Sequence, residues 1–149
     1  MQNEAGTILV VDDEPDMRAL FKDVLEERGH KVTVASNGRE ALKCLAEEEY
    51  AVVLSDLRMK EMPGIELLAE IKRTYPDTNV ILMTAFGSVE SAIEAMKQGA
   101  YDYLTKPVKT EELILITEKA LREAALRREV NSLRREVHRE YSFHQILGK

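Results

Sequence analysis

The sequence contains one cysteine, no tryptophan, only three histidines and no apolar run long enough to span a bilayer. Each scarcity excludes something. A lone Cys44 cannot close a disulfide or supply a zinc pair, and its place among helical apolar positions reads as a small core residue in a reducing compartment. No basic segment leads into an apolar one at the N-terminus, so no secretory signal is read there; the expected location is cytoplasmic, with no membrane partner. Positive charge is also short: 21 Lys and Arg stand against 27 Asp and Glu, for a formal net charge of -6. That balance argues against holding nucleic acid or an anionic membrane by general attraction. An anionic ligand would need a locally supplied cation.

What is present is a repeat of short apolar runs and amphipathic stretches. With 149 residues, 44% of them hydrophobic, the chain has room for one domain with a sizeable core plus an appendage. Residues 51–56, Ala-Val-Val-Leu-Ser-Asp, are too short and too rich in branched side chains for a helix and read as a strand buried on both faces, closed by a carboxylate. Apolar runs at 8–11 and 80–83 and short strands at 32–35 and 102–105 complete the set. Between them lie helical patterns. The first starts near Pro15, carries Met17, Leu20, Phe21, Val24 and Leu25, and stops at Gly29; the second has Asn37 as N-cap, Glu40 three places on, and Ala41, Leu42, Leu45 and Ala46 on one face. The third follows Met62-Pro63-Gly64 with Ile65, Leu68 and Ile71, and the fourth follows a Gly87-Ser88 turn with Val89, Ala92, Ile93 and Met96 inward. Five strands alternating with helices predict an α/β fold, a doubly wound parallel sheet.

The last helix is expected from Thr110, with Leu113, Ile114, Thr117 and Leu121 against the sheet, and continues without Gly or Pro to about Tyr141. Leu126, Val130, Leu133 and Val137 then fall at alternating spacings of four and three, a narrow seam that suits a two-stranded coiled coil and hence a homodimer through the C-terminal helix.

In open parallel sheets ligands sit outside the carboxyl ends of the strands. Four such ends contribute Asp12 and Asp13, Asp56, Thr84 and Lys106. Taken singly, these could be a helix cap, a turn residue, a strand residue and a solvated lysine. Taken together, three converging carboxylates repel one another unless a cation neutralises them, and an all-oxygen set suits Mg²⁺. A carboxylate so placed can attack phosphorus to give an aspartyl phosphate, with Lys106 balancing charge on the other side and Thr84 hydrogen-bonding a phosphoryl oxygen.

Val11-Asp12-Asp13-Glu14-Pro15, Leu54-Ser55-Asp56-Leu57-Arg58-Met59 with Met62-Pro63-Gly64, Met83-Thr84-Ala85 and Tyr103-Leu104-Thr105-Lys106-Pro107 together resemble the receiver domain of bacterial two-component response regulators. The resemblance runs from about Thr7 to Arg122 and implies strand order 2-1-3-4-5. It implies Asp56 as phosphoacceptor, with a sensor histidine kinase as donor. Asp13 and Asp56 would bind Mg²⁺ directly, Asp12 through water, and the Arg58 backbone carbonyl would be a further ligand. Lys106 would pair with the phosphoryl group, Thr84 and Tyr103 would be the switch residues, and Pro107 would follow a cis peptide bond. Phe86 and Arg58 occupy positions that tune phosphoryl lifetime in the family.

A long helix followed by Phe143-His144-Gln145-Ile146-Leu147-Gly148-Lys149 is similar to NtrC-type activators of sigma-54 RNA polymerase. On that resemblance residues 1–122 form the receiver, 123–141 a coiled-coil linker helix, and 142–149 the start of a truncated AAA+ ATPase domain. Sigma-54 polymerase and DNA would be met only through domains missing from this chain, which has no phosphate-binding glycine loop of its own. No turnover of an external substrate is expected beyond the chain's own phosphorylation and dephosphorylation. Two alternatives stay open: a phosphorylation-independent dimerisation module and an aspartyl-phosphate phosphatase. The usual haloacid-type phosphatase needs a second acid two places after the nucleophile, where Arg58 stands.

Overall fold

The computed structural model describes residues 6–85 and 89–147, with side chains through residue 137. Five strands, β1 (Thr7–Val11), β2 (Lys31–Ala35), β3 (Val52–Asp56), β4 (Asn79–Thr84) and β5 (Asp102–Thr105), alternate with helices α1 (Pro15–Glu27), α2 (Gly38–Glu47), α3 (Gly64–Thr74), α4 (Val89–Lys97) and α5 (Thr110–Leu147). All pairings are parallel and the order is β2-β1-β3-β4-β5. The order expected from the family resemblance is therefore the one observed.

Two apolar layers follow from the two-residue period of a strand. Ile8, Val10, Val52, Leu54, Ile81 and Met83 point to one face, where Phe21 and Leu25 of α1 and Leu113, Ala120 and Leu121 of α5 cover them. Leu9, Val11, Val53, Val80 and Leu82 point to the other, under Ala41 and Leu45 of α2, Leu67, Leu68 and Ile71 of α3 and Ala95 of α4. Because both faces are covered, β3 and β4 are buried at every residue. Each strand must then emerge at a rim, and the carboxyl rim gathers the acidic ends.

Local signals act as read. Pro15 sits in the first turn of α1, and Gly29 beyond its end takes φ 93°, a left-handed conformation that favours glycine. The Asn37 side chain accepts from the Glu40 N–H at 2.8 Å, and Glu40 Oε1 accepts from the Ser36 N–H at 2.7 Å. The Lys106–Pro107 bond is cis.

Three expectations about packing change. On α4 the stripe of Val89, Ile93 and Met96 faces outward at 76%, 50% and 49% exposure, and Ala95 is the buried residue of that helix. Helical period reveals an apolar stripe without saying which side meets the sheet, and here the small side chain allows the closer approach. Leu20 of α1 and Ala46 of α2 also lie in solvent, beside the buried Phe21 and Leu45. Finally, α5 runs to Leu147, past the expected stop near Tyr141, and the first residue after 122 that disfavours a helix is Gly148. The expected Gly87-Ser88 turn and Phe86 lie outside the described residues, as do the side chains of residues 142–149.

Candidate functional site

Asp12 immediately follows β1, Asp56 ends β3, Thr84 ends β4 and Lys106 follows β5, so one rim of the sheet brings together residues up to 94 positions apart. Lys106 Nζ lies 3.2 Å from Asp56 Oδ2, 3.3 Å from Asp12 Oδ2 and 4.0 Å from Glu14 Oε1. Asp12 is fully buried, Asp56 nearly so, and Asp13 is half-buried beside them. One carboxylate oxygen from each of Asp12, Asp13 and Asp56 falls within 4.8 Å of the others. Three carboxylates against one ammonium leave an excess of negative charge in a partly dry cleft. The donors are all oxygen, as a hard divalent cation requires, and they lie close enough together to serve one ion, directly or through its waters.

The backbone holds these groups still. The Glu14 N–H donates to Asp12 Oδ1 at 2.9 Å, and Arg18 Nη1 donates to the Asp12 carbonyl at 2.7 Å. The Arg58 N–H donates to Asp56 Oδ1 at 3.3 Å, so both Asp56 oxygens are engaged and the Arg58 backbone lies alongside the carboxylate. The Lys106 N–H donates to the Thr84 carbonyl at 2.7 Å, which couples the end of β4 to the lysine. Gly64 closes the loop after Asp56: its N–H donates to the Leu57 carbonyl at 2.8 Å, and a Cβ there would meet the Asp56 carbonyl at 2.5 Å and Leu57 Cα at 2.8 Å.

Burial is the largest influence on Asp56 and, with the Asp12 charge, pushes its pKa above the ordinary carboxylate value, against the pull of Lys106 and the Arg58 N–H. Burial works against the Lys106 ammonium too, but Asp12 and Asp56 outweigh it and raise its pKa. The cluster therefore keeps its cation while its carboxylate is held at a cost.

Thr84 is buried at the rim. Tyr103, on β5, packs partly against the core layer under α2, α3 and α4, and its hydroxyl is buried with no hydrogen-bond partner among the described residues. The seam residues Leu126, Val130, Leu133 and Val137 are 60%, 43%, 57% and 64% exposed and far from the rim in sequence. Arg18 and Gly64 are additions to the residues read from the sequence. Arg18 carries no signal except its place one turn into α1, and Gly64 is legible as a turn-former and as part of the Met62-Pro63-Gly64 motif, without its contact with Asp56.

The comparisons with known proteins agree with this geometry. The model of the response regulator receiver domain matches residues 8–118. The chain is 39% identical over 140 residues to the regulatory protein AtoC of Escherichia coli K12, covering 94% of this chain and 30% of that protein. It is 46% identical over 121 residues to the transcriptional regulatory protein ZraR of the same strain, covering 81% and 27%. In structure it resembles NtrX from Brucella abortus with a TM-score of 0.81 at 37% identity, over 87% of this chain and 30% of that one. The chain thus spans about three-tenths of the length of the curated relatives it matches. With the family model covering most of its length and the sheet in that order, the chain belongs to the response regulator receiver domain family.

Proposed function

We propose that this receiver accepts a phosphoryl group on Asp56 from a sensor histidine kinase, in a Mg²⁺-dependent step. The observation that carries this reading is the meeting of the Asp12, Asp13 and Asp56 carboxylates, with the Lys106 ammonium on Asp12 and Asp56. In the transfer an Asp56 oxygen forms a bond to phosphorus while the P–N bond of the kinase phosphohistidine breaks, and the imidazole nitrogen keeps that electron pair and takes a proton. Asp12, Asp13 and Asp56, with the Arg58 carbonyl, would hold Mg²⁺, which supplies neutralisation of the phosphoryl oxygens when bound. Lys106 contributes a second positive charge from the opposite side and holds the phosphoryl oxygens once they arrive. No turnover of an external substrate is required. The chain's own chemistry is limited to gaining and losing the phosphoryl group.

Thr84 and Tyr103 form the switch. Thr84 hydrogen-bonds the new phosphoryl group, and Tyr103 turns into the space it vacates. A buried hydroxyl without a partner costs about 1–3 kcal/mol, and that of Tyr103 has none among the described residues, so its present position is weakly held, as a two-state element requires.

Residues 1–122 are the receiver, 123–141 the linker helix and 142–149 the start of an AAA+ ATPase domain of a sigma-54 activator. Transcriptional output, polymerase contact and DNA binding would lie in the longer protein, which functions in the cytoplasm. The linker pairs two chains. Leu-Arg-Arg-Glu-Val occurs at 126–130 and again at 133–137, placing Leu and Val alternately along the seam, a pattern that favours two parallel strands, with Glu129 of one chain opposite Arg134 of the other.

One experiment tests both halves. With a phosphorylated kinase and Mg²⁺, the chain should gain a base-labile phosphoryl group and Asp56→Asn should gain none. Light scattering with beryllofluoride and Mg²⁺ should then show a changed association in the parent, while Leu133→Glu stays monomeric throughout. Labelling of another residue, or a dimer indifferent to Leu133→Glu, overturns the corresponding half.

A further inference from the structure

At the rim opposite the site, the α3–β4 turn is crowded with cations. Lys72 Nζ donates to the carbonyls of Pro76 at 2.8 Å and Thr78 at 2.9 Å, and Arg127 Nη1 donates to the carbonyl of Asp77 at 3.1 Å, so three consecutive carbonyls are taken by two side chains. The Thr78 hydroxyl donates to the Tyr50 carbonyl at 2.9 Å, tying the turn to a residue two places ahead of β3. This is a stiff loop on a surface where turns are usually solvated.

Asn79, the first residue of β4 and only 3% exposed, faces it from within the sheet. Both ends of its amide go to α5. Its Nδ2 donates to the Ala120 carbonyl at 2.9 Å, and its Oδ1 accepts from Arg127 Nη1 at 3.1 Å. Asn131, one turn further on, donates from Nδ2 to Asp77 Oδ2 at 3.3 Å. Ala120, Ala124, Arg127 and Asn131 recur at spacings of three and four and so line one side of the helix. Leu126, Val130, Leu133 and Val137 line another, roughly 100° or more around the axis.

We propose that Asn79 and the 76–78 turn form a socket that seats α5 through Arg127, fixing the direction in which the helix leaves the receiver and the direction in which its seam points. Arg127 is the key. By the register of the seam it flanks the apolar stripe as Arg134 does seven residues later, yet it turns back to the receiver. Its guanidinium is thereby withheld from pairing between chains, which Arg134 is left to make. Past the socket the contacts thin out: Arg128 reaches Glu49 at 3.6 Å between exposed side chains, and a cleft of about 310 Å³ bordered by Glu48, Tyr75 and Arg135 opens beneath the helix. A helix freed from the socket has space to swing. The socket also sits on the strand whose other end is Thr84, five residues or about 16 Å away, so a shift of β4 as a unit moves both.

The claim concerns the resting geometry of the chain and stands whether or not Asp56 accepts phosphorus. It is tested without phosphodonor or Mg²⁺. Spin labels at Arg39→Cys on α2 and Ser132→Cys on α5, in a Cys44→Ala background and diluted with unlabelled chain, report the distance from receiver to linker within one protomer. The parent should give one narrow distribution. Arg127→Gln and Asn79→Ser should each at least double its width, and Arg127→Lys should fall between. Should Asn79→Ser fail to fold, Arg127→Gln decides alone, since that side chain lies outside the core. A merely structural role would lower the melting temperature and leave the distribution as it was. Unchanged width and mean in folded Arg127→Gln overturn the proposal.

Discussion

At the carboxyl rim of the sheet Asp12 and Asp56 share the ammonium of Lys106 with Asp13 close beside them, whereas at the amino rim Glu118 is held by both Arg28 and His30. Arg28 donates twice to Glu118, at 3.0 and 2.9 Å, and His30 Nε2 meets it at 2.9 Å. His30 Nδ1 meanwhile accepts from the Gly6 N–H at 3.2 Å, which leaves Nε2 as the protonated nitrogen that donates to Glu118. Asn79 and Thr78 on the same rim are likewise matched. One edge is left short of positive charge and the other is balanced. An edge whose polar groups are satisfied serves stability; an edge with surplus negative charge serves a ligand that brings positive charge, at the expense of stability.

The contrast can be broken most sharply at Lys106. Lys106→Met removes the cation from two buried carboxylates and should lower the unfolding free energy by about 3 kcal/mol in chelator. Millimolar Mg²⁺ should restore a substantial part by binding the folded state alone. Urea titrations with and without Mg²⁺ check this, and identical curves would mean that the ion does not take the lysine's place.

A smaller effect of opposite sign is expected at Asp56. Its folded pKa lies above the ordinary value, so its contribution to stability is full below the unfolded pKa and is lost as pH rises through the folded one. At neutral pH the carboxylate is a net cost. Asp56→Asn should therefore raise the melting temperature by a few degrees in chelator, with the gain shrinking in acid.

Glu118 should behave in the reverse way, and solvent around the half-exposed Arg28 weakens the effect. Hydrogen bonds from Arg28, joined by those from His30 and opposed by burial, hold its pKa at about 2 against an ordinary 4.5. A depressed carboxylate pKa gives stability that is present above 4.5 and lost as pH falls towards 2. Glu118→Gln should melt slightly lower than the parent at pH 7, and the two curves should converge by about pH 2. Melting curves across that range decide it, and parallel curves would remove Glu118 from the balance.

The carboxyl rim was far more legible in the sequence than the amino rim. Strands buried on both faces appear as unbroken apolar runs, so Asp12 and Thr84 are marked as the first polar residues after them, and Asp56 and Lys106 come one place later, after Ser55 and Thr105. Asn79 and Arg127 have no such marker. They meet only because α5 crosses the amino rim, 48 residues after the strand it grips, and polar residues on a long helix carry no period that separates a contact from a solvated face. The outward stripe of α4 failed for a related reason: Val89, Ile93 and Met96 have the spacing of an inner face, and only the position of the sheet decides otherwise.

Residue 64 has room for a hydrogen atom and nothing more, because a methyl group would have to push aside the backbone carbonyl of Asp56. Within the segment between 57 and 63, Met59 is sunk in the core and Leu57 and Met62 pack against it, so the positions left to vary are the exposed Arg58, Lys60 and Glu61, which can change the charge met on the way to the aspartate without moving its frame.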